Sequence, residues 1–219
     1  MMLNKISAIA LVILMIGCNE NPTTTPVKPD SNAVKEKTAT QSILPDRLQL
    51  TGKFRGPNEI DTLLEAYINP TTGKDLPKIV DSTNWDHQID SITQNKGVCR
   101  IITALCADGY YLITDKPQQN GLQQLDNLGD LDGKPGEEIG YVVNWADYSA
   151  INTYHILTYD AAAKTFRLLF SFPINELNNV LPENLYEGKF IVQAQGNRKI
   201  KYKSFDGAKG GIIEKQHQF

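Results

Sequence analysis

From Leu48 to the end of the chain, short apolar or alternating runs are separated by Gly, Asp and Asn. Runs of this kind predict β-strands, and the turn residues between them predict hairpins. Residues 98–106 and 110–115 flank Asp108-Gly109, a two-residue hairpin signal. Residues 139–145 form an apolar, β-rich run. Residues 153–159 and 165–172 enclose a second turn over 160–164, and 189–195 and 198–205 enclose a third at Gly196-Asn197. A last strand is expected over 210–214. Helix signals are few: 174–181, behind Pro173, suits two turns. In 60–68, Leu63, Leu64, Tyr67 and Ile68 fit a helical stripe, but a repeat described below favours strand. The pattern predicts a mainly β fold of antiparallel sheets with meander hairpins, sandwich or partial propeller-like, with few short helices.

The N-terminus follows a different pattern. Lys5 precedes an apolar run over 6–16, and Gly17-Cys18 closes it. A charged start, a short apolar core and a small residue at the cut form the layout of a secretory signal peptide. A membrane-spanning helix needs about 20 apolar residues, more than this run supplies. The segment resembles a bacterial lipoprotein lipobox. That resemblance implies cleavage before Cys18, a lipid on the Cys18 sulfur and acylation of the new amino terminus, with palmitate as one such chain. The alternative is a cut elsewhere that leaves a free thiol at Cys18; the absence of an Ala-x-Ala site weighs against it. Asn19, rather than Asp, follows the cysteine. In the pattern of enteric lipoproteins this implies the outer membrane, with the protein facing the periplasm. Residues 18–45 are polar, carry Pro22, Pro26 and Pro29 and show no apolar period. They read as a disordered tether with a reach of roughly 30 Å. The expected organisation is a signal peptide over 1–17, a lipid-anchored tether over 18–45 and a single β-rich domain over 46–219.

Charge adds little to this picture. The chain carries 22 basic and 25 acidic side chains, a formal charge of −3. Loss of residues 1–17 removes only Lys5 among them. No global attraction to nucleic acid follows, and none is expected as a partner. Cys99 and Cys106 lie seven residues apart in what reads as one strand. Seven strand residues span roughly 23 Å, whereas a disulfide needs Cα atoms closer than about 7 Å. Either the strand bends back or both are buried thiols, and the spacing favours thiols. No CxxC pair suggests a metal or redox site.

Two segments 77 residues apart align without gaps: Gly52-Lys-Phe-Arg-Gly-Pro-Asn-Glu-Ile-Asp61 and Gly129-Asp-Leu-Asp-Gly-Lys-Pro-Gly-Glu-Glu138. They share two glycines (52/129 and 56/133), an apolar residue between them (Phe54, Leu131) and a closing acid (Asp61, Glu138). The second copy resembles the calcium loops of integrin-type FG-GAP repeats, in which acids alternate along a tight loop before a strand. Calcium takes six to eight oxygens at 2.3–2.6 Å. The resemblance implies Asp130, Asp132 and Glu138 as calcium ligands and the Gly136 carbonyl as a further donor. Lys134 and Pro135 depart from the pattern, at places that call for an oxygen ligand and a glycine. The same segment also reads as an acidic β-turn whose Asp side chains bond nearby backbone. The first copy has Lys53, Arg55 and Pro57 where ligands belong and holds no cation; a fixed Lys53 or Arg55 charge balances Asp61 instead.

The remaining chemistry is sparse. No Gly-x-Ser-x-Gly elbow, Walker loop, Rossmann glycine pattern or His-Glu-x-x-His occurs. His155 is expected mid-strand, bonded to a neighbour. His87 sits in a polar stretch beside Asp86. The stretch Asn144-Trp145-Ala146-Asp147-Tyr148-Ser149 sets two aromatics among polar groups, and Trp145, Asp147 and Tyr148 are candidate binding residues for a sugar or peptide. The same aromatics also read as the end of the core. Lys199, Lys201 and Lys203 make one strand face basic, as on a guarded edge strand.

Taken whole, the chain resembles uncharacterised lipoproteins of Bacteroidota-type bacteria with degenerate FG-GAP-like repeats. The residues concerned are the lipobox, the tether, Gly129-Asp130, the Glu138-to-Trp145 strand and Phe172-Pro173. The resemblance implies no activity. The expected function is a lipid-anchored cell-envelope module, non-enzymatic, that binds or organises an envelope protein or glycan. One alternative is an enzyme acting on envelope glycan or peptide with a site near Asp86, His87, Trp145 and Asp147. The other is a calcium-dependent adhesion module.

Overall fold

The chain pairs each strand with its neighbour in sequence, so every sheet is an antiparallel meander. The computed structural model describes residues 47–81, 83–176 and 191–219. The first sheet runs β1 (Gln49–Gly52), β2 (Asp61–Ile68), β3 (Val98–Ile102) and β4 (Tyr110–Thr114). The second runs β5 (Gln119–Gly129), β6 (Glu138–Trp145), β7 (Ile151–Asp160) and β8 (Thr165–Asn175). The third is β9 (Val192–Gly196), β10 (Lys199–Asp206) and β11 (Gly211–Gln218), with β10 in the centre. The fold is therefore mainly β and antiparallel, with meander hairpins and one short helix among the described residues. All described residues fall within one unit, Thr40–Phe219.

The second sheet is the middle layer. In β6, Ile139, Tyr141 and Val143 join a cluster with Leu63, Cys99 and Ile101 of the first sheet. Val142 points the other way, into a cluster with Ile200 and Tyr202 of the third. Side chains alternate between the two faces of a strand, so a strand buried on both faces must be apolar throughout. This accounts for the unbroken run at 139–143. In β7, Leu157 enters the first cluster and Tyr154 and Ile156 the second.

Four expectations are corrected. Residues 98–106 do not form one strand: β3 ends at Ile102, and Ile102 pairs with Tyr110 across a loop over 103–109. In that loop the Gly109 N–H bonds the Cys106 carbonyl at 2.9 Å, and Gly109 takes φ +75°. Cys99 and Cys106 are both buried and free. Burial pushes the Cys99 thiol up. Second, Ile174 belongs to β8, which extends to Asn175, not to a helix; the rest of 174–181 beyond Glu176 lies outside the described residues. Third, α1 (Trp85–Asn95) occupies the stretch that read as a polar loop. Its N-cap Asn84 accepts the His87 N–H at 3.0 Å, Asp86 sits in the first turn, and Lys96 closes it with φ +46°. Fourth, β5 was not foreseen. Its buried positions include Gln119, Asn120 and Gln124, which invert the usual apolar pattern. The amides of Gln119 and Asn120 serve as backbone partners, and Gln124 donates to the Asp126 carboxylate at 2.6 Å. Gln119 donates to the Gly97 carbonyl at 2.6 Å, and Asn120 bonds both the N–H and the carbonyl of Ile79 at 3.0 and 2.9 Å. The signal peptide, Cys18 and all of the tether but its place in the sequence lie outside the described residues.

Candidate functional site

The two copies of the repeat are two hairpin loops of equal length. Residues 53–60 join β1 to β2, where Gly52 pairs with Asp61; residues 130–137 join β5 to β6, where Gly129 pairs with Glu138. The apolar residue of each copy is buried and anchors its loop, Phe54 in the first cluster and Leu131 in the second. The loops also face each other. The Lys53 N–H donates to Glu137 Oε2 at 2.7 Å, and the Glu137 N–H donates to the Lys53 carbonyl at 3.2 Å. Gly136 allows this approach: it holds φ +125°, and a Cβ there would lie 2.5 Å from the Phe54 carbonyl oxygen. The Lys53 N–H, then Asn127, bonds the Glu137 carboxylate and holds it below its ordinary range.

Their charges are arranged differently. In the first loop Arg55 grips Asp61 with two bonds, Nη2 to Oδ1 at 2.8 Å and Nε to Oδ2 at 3.3 Å. Glu59 takes the same guanidinium at 2.6 Å. In the second loop the carboxylate oxygens of Asp130, Asp132 and Glu138 lie within 4.8 Å of one another. Asp132 and Glu138 are buried, and Asp130 is exposed. Burial pushes Glu138 up to about 7, with the charges of Asp132 and Asp130 adding to the effect. The Leu131 N–H at 2.6 Å and the Thr158 hydroxyl oppose that shift.

The donor set of this second loop suits a hard cation in kind, three carboxylates on one turn, but it is short of the six oxygens calcium takes. It also holds its own cation. Lys134 Nζ lies 3.1 Å from Asp132 Oδ2, with its side chain more than half exposed. The aspartates bond the loop backbone as well: Asp130 accepts the Gly133 N–H at 2.7 Å and Asp132 the Lys134 N–H at 2.9 Å.

A second site opens where β6 ends. A cleft of ≈ 350 Å³ lies among Trp85, Trp145, Asp147, Tyr148 and Glu176, with the amides of Gln123 and Asn144 on its wall. Three chain segments meet here: the first turn of α1, the 146–150 connection from β6 to β7, and the residue following β8. Trp85 and Tyr148 meet edge to face at 6.5 Å, and the Tyr148 hydroxyl donates to Asp86. Tyr148 is 75 % exposed and Trp85 42 %, so neither ring finishes the core. Lys116 Nζ stands 5.7 Å from the centre of the Trp145 ring. Glu176 accepts a bond from Asn152; burial raises its carboxyl, and the charge of Asp147 raises it further.

The candidate residues from the sequence are thus partly gathered. Trp145, Asp147 and Tyr148 line one cleft, and Asp86 reaches it through Tyr148. His87 does not line it: its Nδ1 bonds Asp81 Oδ2 at 3.1 Å. Bonds from Thr83, then His87, hold Asp81 down at about 2. The Ser149 hydroxyl is engaged with the backbone of Ile151, and the Ser149 N–H donates to Asp147. Glu176 and Gln123 were not anticipated. Glu176 follows the end of β8 and Gln123 lies within the polar strand β5, two elements the sequence pattern misjudged.

Comparisons with protein-family models, with curated proteins and with solved structures returned no match. No helix among the described residues is long and apolar enough to cross a membrane.

Proposed function

We propose that this chain is a lipid-anchored protein of the cell envelope whose β domain binds a glycan in the cleft at Trp85, Trp145 and Tyr148. The observation that carries this reading is the convergence of Trp85 from α1 with Trp145 and Tyr148 from the end of β6 and its following loop, beside free amides and carboxylates. Aromatic faces stack on the C–H faces of a sugar, and the polar groups meet its hydroxyls. An exposed Trp–Tyr pair contributes little to the core, which favours a contact surface over packing. The absence of a nucleophile–base pair among the cleft's described residues favours binding over catalysis. A glycan array probed with the detergent-solubilised full chain tests it: Trp85→Ala and Tyr148→Ala should remove the signal. Retention of every signal by both variants would remove the cleft from consideration.

The anchor stands on Cys18 alone. Cys18→Ala should abolish labelling by a fatty-acid analogue and release the chain from membranes; labelling that survives the change overturns it. The proposed placement in the outer membrane, facing the periplasm, rests on Asn19.

A second reading is favoured by the convergence of Asp130, Asp132 and Glu138. Bound there, calcium would offset their mutual repulsion, and Lys134 would leave Asp132 for solvent. Ligand binding to the folded state stabilises it by about 2.7 kcal/mol at a hundredfold excess over Kd. Calcium added after EDTA treatment should then raise the melting temperature of the parent chain but not of Asp132→Asn. An unmoved melting curve removes this reading.

A further inference from the structure

The cleft is acidic as well as aromatic. Asp147 and Glu176 line it, and Asp86 stands behind Tyr148. None of these three carboxylates forms an ion pair among the described residues. Among the described residues no Lys or Arg lines the cleft. Asp147 accepts only the Ser149 N–H, at 2.9 Å, and Glu176 meets the neutral amide of Asn152. Several carboxylates elsewhere have cationic partners: Asp61 with Arg55, Asp132 with Lys134, Glu65 with Lys78. The cleft instead sets carboxylates without an ion pair among the described residues beside the exposed rings of Trp85 and Tyr148.

An aromatic face attracts a cation through its quadrupole, most strongly for Trp, and a nearby carboxylate adds Coulomb attraction. The molecule already uses this chemistry at the same ring, since the Lys116 ammonium stands 5.7 Å from the Trp145 centroid. The amides of Gln123 and Asn144, half-buried at the wall, form no bonds within the described protein and supply both donors and acceptors. Such amides serve hydroxyl groups and are superfluous to a simple alkylammonium. Rings, carboxylates and free amides together match one ligand chemistry: a sugar that carries a free amine.

We propose that the cleft selects amino sugars with an unacetylated, positively charged amine, the ammonium lying between the aromatic faces and the carboxylates of Asp147 and Glu176. This rests on the cleft being the glycan site proposed above. The sugar ring stacks on Trp85 or Trp145 and its hydroxyls meet Gln123 and Asn144. An N-acetyl group removes the charge and leaves the carboxylates facing a neutral amide.

The test is titration calorimetry of the detergent-solubilised full chain with a β-1,4-linked glucosamine tetramer and with its fully N-acetylated counterpart. The glucosamine tetramer should bind at least about tenfold more tightly. Its advantage should shrink as salt rises, because an exposed charge pair is screened. Asp147→Asn, an exposed loop change, should narrow the gap, and Asp147→Asn with Glu176→Gln should close it by weakening the glucosamine tetramer more than the acetylated one. Equal or tighter binding of the acetylated tetramer overturns the charge selection and leaves the glycan reading standing. Binding of neither tetramer overturns both. A trilysine peptide that binds where neither tetramer does overturns the sugar assignment and keeps only the ammonium.

Discussion

The loops at 53–60 and 130–137 share length, strand register, glycine positions and a buried apolar anchor, yet they resolve their charge in different ways. The first is neutralised from within by Arg55, which grips Asp61 and Glu59 at the surface. The second buries two acids of three and meets them with one lysine whose side chain stays largely in solvent. The difference teaches that loop length, the closing strand pair and a buried anchor recur while the ionic content and the glycine conformations vary, Gly56 holding φ +142° and Gly133 φ +73°.

The strongest way to break the comparison is to remove an anchor. Phe54→Ala should cost about 3–5 kcal/mol and Leu131→Ala about 2–5 kcal/mol in urea unfolding, because each empties a packed site. A loss below about 1 kcal/mol at both would show that the anchors do not hold the loops. Next comes the interface between the loops. Gly136→Ala places a Cβ against the Phe54 carbonyl at a φ that L residues avoid, and should cost more than Gly129→Ala. At Gly129 the added Cβ meets nothing within 4 Å, leaving only the left-handed backbone cost of about 1–2 kcal/mol. Equal losses at the two positions would remove the close approach as an explanation.

A finer distinction is pH. Glu138 sits at about 7 in the folded chain against an ordinary 4.5. Between these values the folded state holds a proton that the unfolded state has released. Its contribution is fully present below about 4.5 and is lost as pH rises to about 7. Calcium-free unfolding of Glu138→Gln should show a flatter decline over that window than the parent chain; parallel curves would refute it. The smallest effect is expected from Arg55→Met. Arg55 is exposed, although the Asp61 side chain it grips is only 9 % exposed, and the unfolding midpoint should fall less than for either glycine change. A large loss there would mean the ionic content does shape the first hairpin.

Much of the β architecture was legible in the sequence, for a physical reason. A strand buried on one or both faces must carry apolar residues at period two or continuously, and β2, β6, β7, β8 and β10 do. The turn at 197–198 was signalled by Gly196-Asn197, and both Asn197 and Arg198 take positive φ. What escaped was structure held by polar groups. Helix α1 buries Ile92 and Gln88 and is defined more by the Asn84 cap than by an apolar stripe. Strand β5 is held by amide side chains that bond distant backbone. The candidate cleft was half legible: Trp145, Asp147 and Tyr148 are close in sequence, but Trp85 reaches them through α1 and Glu176 through the extension of β8 to Asn175.

The sequence by itself determined the hairpins β3–β4, β7–β8 and β9–β10, because hairpins are local and burial writes a periodic pattern. It also showed the repeat, with glycine and an apolar anchor at the same places in two loops of equal length. Only the tertiary structure decided that the two repeats face each other, and that Glu176 and Trp85 share a cleft with Trp145. Those are contacts between residues far apart in the chain, made by single bonds and close approaches that leave no period to read.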